Sequence, residues 1–352
     1  MATSVFTAKK PLVATTKTKQ PLGGLSYDRF MIILTSWFIG GLYLDGWAHS
    51  HIPQLETFFT PWHGVLYSGY LVCAILIVAA VAINHRRGYA WRESVPAGYE
   101  LSLLGVPLFA IGGVADMIWH ILFGIEKGVE PLLSPTHLLL ALSAMLIMSG
   151  PFRAAWRRSD SEAKHSWRTL FPMLFSFLAT YSLFTFFTEF AHPFVRFWLV
   201  TQALDDQMKS FGVACVLLQA GLLMGFVLLA LKRWQLPFGA FTFVLTLNAA
   251  LMSVFTDQLR MIPVAFAAGL VADLLIKFLR PSSARLDTLR IFAFIVPVVY
   301  YLGYFILLMA MDGTTWKIHL WLGSSFMAGI VGLVLSFLLV PPLQAVETRK
   351  SR

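Results

Sequence analysis

Charged side chains are scarce in this chain. Only 13% of its 352 residues are Asp, Glu, Lys or Arg, about half the share found in an ordinary soluble domain (roughly 25%). Apolar residues make up 57%, which excludes a disordered protein and argues against a soluble enzyme. The only two cysteines, Cys73 and Cys215, lie in apolar stretches and form no Cys-x-x-Cys pair, which excludes a disulfide scaffold.

The common catalytic signatures are also missing from the sequence. It contains no phosphate-binding loop, Gly-x-Ser-x-Gly nucleophile turn, His-Glu-x-x-His zinc motif or dinucleotide-binding fingerprint. Any chemistry must therefore come from another arrangement of polar side chains.

Long apolar stretches account for most of the chain. Each is long enough for a helix that crosses a bilayer, which needs ~20 residues, and none shows the alternation of a transmembrane β-strand. The sequence predicts an all-α, polytopic integral membrane bundle of about ten transmembrane helices, over residues 28–46, 62–84, 99–121, 134–150, 170–191, 209–231, 238–256, 261–279, 290–311 and 317–341.

The basic residues fall almost entirely on one side of this predicted topology. Of 27 Lys and Arg residues, 22 lie in the terminal segments or in the loops on the same side as the termini, and 5 lie on the other side. The positive-inside rule then places both termini in the cytoplasm of a multi-pass plasma (inner) membrane protein. The net charge of +9 thus indicates orientation in a lipid bilayer, and no nucleic-acid partner is expected.

Composition divides the chain into four regions. Residues 1–27 are Thr- and Lys-rich and are expected to form a disordered cytoplasmic tail. Residues 28–150 hold four predicted helices with repeated metal-ligand motifs, residues 151–345 hold six further helices, and residues 346–352 form a second cytoplasmic tail.

Seven of the nine histidines lie on the predicted outer side, and two hairpins there share one pattern. Residues 40–63 and 112–137 both contain Asp-x3-His, followed by Glu-x3-[Ser/Thr]-Pro-x-His. The segment between the two halves of the pattern is three residues longer in the second hairpin, which begins about 70 residues later. We interpret the pair as a parallel duplication of a helical hairpin.

The spacing of these residues predicts metal ligands. Asp and His four residues apart share one helix face. Thr60 and Ser134 are placed as N-caps, each with proline in the first helical position, so the last histidine of each hairpin falls in a first helical turn, which favours its neutral, ligating form. The predicted ligands, in two mononuclear sites or one composite site, are Asp45, His49, His63, Asp116, His120 and His137.

Further polar residues at the same predicted level are candidates to orient the ligands or shape a vestibule, with interfacial capping as the alternative role. They are His51, Glu56, Glu130, Glu189, His192, Asp312 and His319. Asp273, inside the eighth apolar stretch, is expected to pair with Lys277 one turn later.

Both hairpins carry a recognisable motif. Asp116-x2-Trp119-His120, followed by an acidic residue and Ser134-Pro135-x-His137, resembles the C subunit of the particulate methane and ammonia monooxygenases, over about 25 residues per copy. Asp45 and His49 with Thr60-Pro61-x-His63 match the spacing of that family better. That resemblance implies copper as the cofactor and additional membrane or periplasmic subunits as partners. The family subunit has fewer spans and one such motif, and the gap from His120 to His137 is longer here.

Three functions are compatible with the pattern. The first is an oxygen-activating, copper-dependent, monooxygenase-like enzyme acting on a small apolar substrate, with non-haem iron or zinc as alternative metals. The second is a metal-ion transporter or a metal-handling or sensing membrane protein without catalysis. The third is haem ligation by His63 and His137, which the neighbouring carboxylates disfavour. Ionisable groups are concentrated at one face, which favours a fixed site over a transport path.

Overall fold

The computed structural model describes residues 21–52, 58–124, 126, 128–158, 166–255 and 257–342. Within them the chain is helical, with no β-strand. Three short 3₁₀ turns lie at Glu189–Ala191, Ser253–Phe255 and Leu259–Met261. The α-helices are α1 Gly24–His51, α2 Pro61–Arg86, α3 Glu100–Phe123, α4 Glu130–Leu133, α5 Pro135–Met148, α6 Gly150–Arg157, α7 Trp167–Phe187, α8 Trp198–Thr201, α9 Asp206–Arg233, α10 Ala240–Met252, α11 Ile262–Leu279, α12 Leu286–Met311 and α13 Ile318–Leu339.

Eight helical segments in the described part of the chain are long and apolar enough to cross a membrane, or nine if α5 and α6 form one span. Each of the ten predicted stretches contains a helix, but a count of ten spans is not confirmed. A bend of 40° separates α5 from α6, where Pro151 leaves a carbonyl of the preceding turn without its amide partner. With 13 residues, α10 reaches only about 20 Å of the ~30 Å apolar core.

The ends of the predicted regions also differ from the structure. Helix α1 begins at Gly24, inside the segment predicted as a tail. Residues 1–20 and 346–352 lie outside the described residues.

Helix α7 is the central element of the bundle. Most of its side chains are buried, and it packs against α1, α5, α6, α9 and α10. Two hairpins, α1 with α2 and α3 with α5, lie on one side of it, and helices α9 to α13 form the remainder. Large apolar side chains such as Leu71, Ile75 and Val78 on α2 face outwards. Such an apolar exterior on long apolar helices is that of a multi-pass membrane protein.

Polar contacts tie the first and last helices to the same end of the bundle. The carboxylate of Asp28 accepts from the Tyr99 hydroxyl at 2.7 Å and pairs with Arg158. The carbonyl of Arg158 accepts from Arg233, and the neighbouring Lys232 donates to the carbonyl of Leu339. We call this the basic end; the hairpin turns that carry the predicted ligands lie at the opposite, triad end.

Buried Asp273 explains how the short helix α10 begins inside the bundle. Its carboxylate accepts from the amides of Phe241 and Thr242 at 3.1 and 2.9 Å and from the Thr242 hydroxyl at 2.6 Å. These are otherwise unpaired donors of a helix N-terminus. The predicted pairing of Asp273 with Lys277 is wrong, because the Lys277 ammonium instead lies over the ring of Phe238.

Candidate metal centre

The first triad joins the end of α1 to the start of α2. Asp45 and His49 lie one turn apart on α1, and His63 lies in the first turn of α2. The Nε2 atom of His63 is 3.3 Å from Asp45 Oδ2 and 3.5 Å from His49 Nε2, and His49 Nε2 is 3.9 Å from the same carboxylate oxygen. The three predicted ligands of this hairpin therefore come together.

Backbone contacts orient the His63 ring. Thr60 is the N-cap of α2, with its hydroxyl accepting from the His63 amide at 3.1 Å, and Pro61 follows as predicted. The Nδ1–H of His63 donates to the carbonyl of Phe58. This hydrogen bond leaves the Nε2 lone pair directed at Asp45 and His49, which is the arrangement of a metal-ligating histidine.

The second triad joins α3 to α5 with nearly the same distances. His120 Nε2 is 3.6 Å from Asp116 Oδ2, and His137 Nε2 is 3.3 Å from Asp116 Oδ1. The two histidine rings are 5.5 Å apart, as are those of His49 and His63. The two hairpins thus produce two Asp-His-His groups of matching geometry.

Unpartnered buried atoms show that these groups fit a metal ion. The Nδ1–H of His120 donates to the Gly124 carbonyl at 3.2 Å, whereas its buried Nε2 has no hydrogen-bond partner. Asp45 Oδ1 is also buried without one. Such an unsatisfied atom costs about 1–3 kcal/mol, and a bound ion would remove that cost. In each triad the candidate ligand atoms lie within 4.8 Å of one another.

Additional polar groups support the second triad. The Thr136 hydroxyl donates to Asp116 Oδ1 at 2.8 Å. His137 Nδ1 lies 2.7 Å from Ser134 Oγ and 3.5 Å from Glu126 Oε2. Ser134 precedes α5 as predicted, but its hydroxyl contacts the His137 ring and caps no amide. The position equivalent to Thr136 in the first hairpin is Trp62, which offers Asp45 no hydroxyl.

Both triads line one cavity of about 460 Å³, which we call the chamber. Phe58 lies beside both, with its ring 5.0 Å from that of His63 and 6.1 Å from that of His120. The side chains of His49 and His137 are 26% and 20% exposed, whereas the other four candidate ligands are buried. Away from the ligands the wall is largely apolar and includes Phe38, Leu66, Phe109, Leu140, Met148 and Leu183.

Glu189 is the one predicted supporting residue that the described structure brings to this cavity. It follows α7, and its buried Oε2 atom has no hydrogen-bond partner. Burial raises the pKa of Glu189 to about 7, partly offset by the positive charge of Arg196. Glu189 can therefore hold or release a proton near neutral pH.

The other predicted supporting residues lie elsewhere. His51 stacks on Trp47 and faces Asp257 at 3.4 Å, away from the ligands. Buried His192 accepts from the Phe194 amide, and burial lowers its pKa to about 3. Asp312 pairs with Arg260, Glu130 and His319 are exposed at helix starts, and Glu56 lies outside the described residues.

Two supporting residues were not predicted. Glu126 lies in the longer loop of the second hairpin, where Trp119 Nε1 donates to it at 2.7 Å and holds it beside His137. Thr136 occupies the x position of the Pro-x-His motif. The signal available in the sequence was that this residue is polar, whereas the equivalent residue of the first hairpin is tryptophan.

Comparisons of the chain with protein-family models, curated proteins and solved structures found no match. The similarity to the copper monooxygenase C subunit therefore rests on the motif residues of the hairpins.

Proposed function

We propose that the protein is a membrane metalloenzyme that holds one metal ion in each triad and oxidises a small apolar substrate in the cavity between them. One observation carries this proposal: two buried Asp-His-His groups, with imidazole Nε2 atoms directed at carboxylates, converge on a single apolar-walled chamber. Buried ionisable groups within a membrane bundle are costly and mark functional sites.

Copper is the metal that we propose. Each triad offers two imidazole nitrogens and one carboxylate oxygen, a set that suits copper, iron and zinc. Among divalent first-row ions, copper binds a given nitrogen and oxygen site most tightly. The motif resemblance favours the same metal. Non-haem iron, which also uses two histidines and a carboxylate, and zinc remain alternative results of a metal analysis.

The wall of the chamber favours oxidation of an apolar molecule. A bound copper ion would supply the redox chemistry of dioxygen activation. The residues of the chain would hold the ions, and Phe38, Phe109 and Leu140 would exclude water and accept an apolar substrate that enters from the bilayer. Glu189, with its unpartnered Oε2 atom, would hold a proton at the edge of the same chamber.

The charge distribution supports a location for this chemistry. With both termini cytoplasmic, as the basic residues indicate, the chamber opens towards the extracytoplasmic face of the plasma membrane. Electrons would then come from an additional membrane or periplasmic subunit.

Metal transport or handling is the second candidate function. It is favoured by the partial exposure of His49, which gives an ion access from solvent. The apolar wall beyond the triads disfavours a conducting path, because an ion would have to leave its ligands for hydrocarbon-like surroundings.

Metal analysis of the detergent-purified protein tests the proposal. We expect two copper ions per chain, one in His63→Ala, one in His137→Ala and none in the double variant. His319→Ala is the matched control, because His319 also lies in a first helical turn but is exposed and lines no part of the chamber. Equal metal content in all five proteins would refute the proposed sites.

Activity separates the two candidate functions. The enzyme should consume dioxygen when supplied with a reductant and a small hydrocarbon, and the double variant should not. A protein that binds two copper ions, consumes no dioxygen and moves copper across proteoliposome membranes would instead be a transporter.

A further inference from the structure

A second recess lies at the basic end of the bundle, far along the helices from the triads. Helix α10 begins beside Asp273, whereas α11 continues for six more residues to Leu279, or about 9 Å. The short helix thus leaves a gap next to the longer one. The resulting recess has a volume of about 400 Å³ and lies between the α9–α10 linker and the α11–α12 turn.

Three basic side chains line this recess: Lys277, Arg280 and Arg285. Among the described residues, none of the three forms an ion pair. The one carboxylate in the wall, Asp273, is already occupied by the amides and hydroxyl at the start of α10. The three cations therefore outnumber the one carboxylate, and the recess carries a net positive charge.

Neutral polar groups and an ordered turn accompany the cations. Ser282 and Gln235 add a hydroxyl and an amide to the wall. The amide of Arg285 donates to the Ser282 carbonyl at 2.9 Å, which closes the turn between α11 and α12. Guanidinium and ammonium groups around a hydroxyl form a set that recognises phosphate oxygens.

The rest of the wall is apolar. It is formed by Leu231, Leu236, Phe238 and Ile276, and Phe238 is itself 52% exposed. Cations at the end of membrane-spanning helices, next to an exposed apolar surface, match the two parts of a phospholipid, whose headgroup is charged and whose chains are not.

We propose that this recess binds a phosphate group, supplied by the headgroup of an anionic phospholipid at the basic end of the bundle. Lys277, Arg280 and Arg285 bind the phosphate oxygens, and the acyl chains lie against Phe238 and Ile276. The proposal does not depend on the metal sites.

Native mass spectrometry of the detergent-solubilised full chain tests this inference. The probes are phosphatidylglycerol, phosphatidylcholine with the same acyl chains, and inorganic phosphate. The triple variant combines Lys277→Gln, Arg280→Asn and Arg285→Gln. Asparagine is chosen at residue 280 because this residue has a positive φ of 49°, which asparagine tolerates. The matched control is Arg86→Gln, Arg92→Gln and Arg168→Gln, which removes three exposed cations that line neither cavity.

We expect one phosphatidylglycerol molecule to stay bound to the unmodified chain and to the control, and phosphatidylcholine to bind much more weakly. Each basic side chain near an anionic lipid contributes about fivefold to binding, so the triple variant should lose on the order of a hundredfold. Retention of inorganic phosphate alone, lost in the triple variant, would support the phosphate site with a soluble source. Equal lipid and phosphate binding by the triple variant and the control would overturn the proposal.

Discussion

The hydrogen bond from Thr136 to Asp116 gives the sharpest test of how the second metal site is built. Both residues are buried, with exposed fractions of 8% and 2%, and the oxygen atoms are 2.8 Å apart. Thr136→Val keeps the shape of the side chain but removes its hydroxyl. A carboxylate that loses this donor is free to rotate away from the ligating position, so the ion should be held less tightly.

The size of the effect follows from the nature of the bond. A hydrogen bond to a charged group contributes about 1.5–3 kcal/mol, which corresponds to roughly ten- to 150-fold in affinity. Loss of an outer partner of a metal ligand typically costs a similar 10–100-fold. We therefore expect Thr136→Val to weaken copper binding at the second site by at least tenfold.

The measurement uses the His63→Ala background, in which only the second site should bind. Copper affinity is determined by competition with a chelator of known affinity. Thr180→Val is the control, because this buried threonine donates to a backbone carbonyl of α7 and does not line the chamber. An affinity in Thr136→Val within about threefold of that in Thr180→Val would refute the proposed role of the hydroxyl.

Three further predictions concern stability. Burial raises the pKa of Glu189 to about 7, above the value of about 4.3 in the unfolded chain. Because the folded state binds this proton more tightly than the unfolded state does, the protein loses stability as pH rises from about 4 to 7. Glu189→Gln should therefore unfold at a higher temperature than the metal-free parent chain at pH 8 but not at pH 5, and an equal difference at both would contradict this. Asp273→Asn should destabilise the protein by about 2 kcal/mol in thermal unfolding, since it removes a charged acceptor from the start of α10; an unchanged transition would show that the cap is dispensable. Removal of bound metal by a chelator should lower the free energy of unfolding by about 2.7 kcal/mol per site, where the free ion concentration had been a hundred times Kd. The same chelator should leave the thermal unfolding of the His63→Ala, His137→Ala double variant unchanged.

The positions of the helices were predictable because long apolar stretches in a nearly charge-free chain leave few other structures open. The number of complete spans was not predictable in the same way. Residues 238–256 have the composition of a span, but the helix stops after Met252 and Asp273 supports its buried start from another helix. Pro151 similarly lies at the 40° bend between α5, which fills the predicted stretch 134–150, and α6, which extends beyond it. Composition sets the apolarity of a segment, whereas contacts distant in sequence set its helical length.

The candidate ligands were predictable because their relations are local. Asp45 and His49 share a helix face by spacing, and the Thr-Pro-x-His sequence fixes where His63 stands in its helix. Glu126 could not be found in this way, because its position depends on the path of a loop. Glu189 was predicted only from its level in the membrane, and its place in the cavity wall depends on α7 packing against both hairpins. The common chamber is likewise a product of packing, since no sequence pattern states that two hairpins face each other.

The two triads match in spacing but differ in support, and this difference has a physical consequence. In the second, Thr136 and Glu126 hold the carboxylate and one imidazole, and Asp116 is almost fully buried. In the first, Asp45 Oδ1 has no hydrogen-bond partner and the His49 side chain is 26% exposed. An ion in the first triad would have less constrained ligands. If both triads hold a metal ion, we therefore expect the second to retain it more tightly than the first.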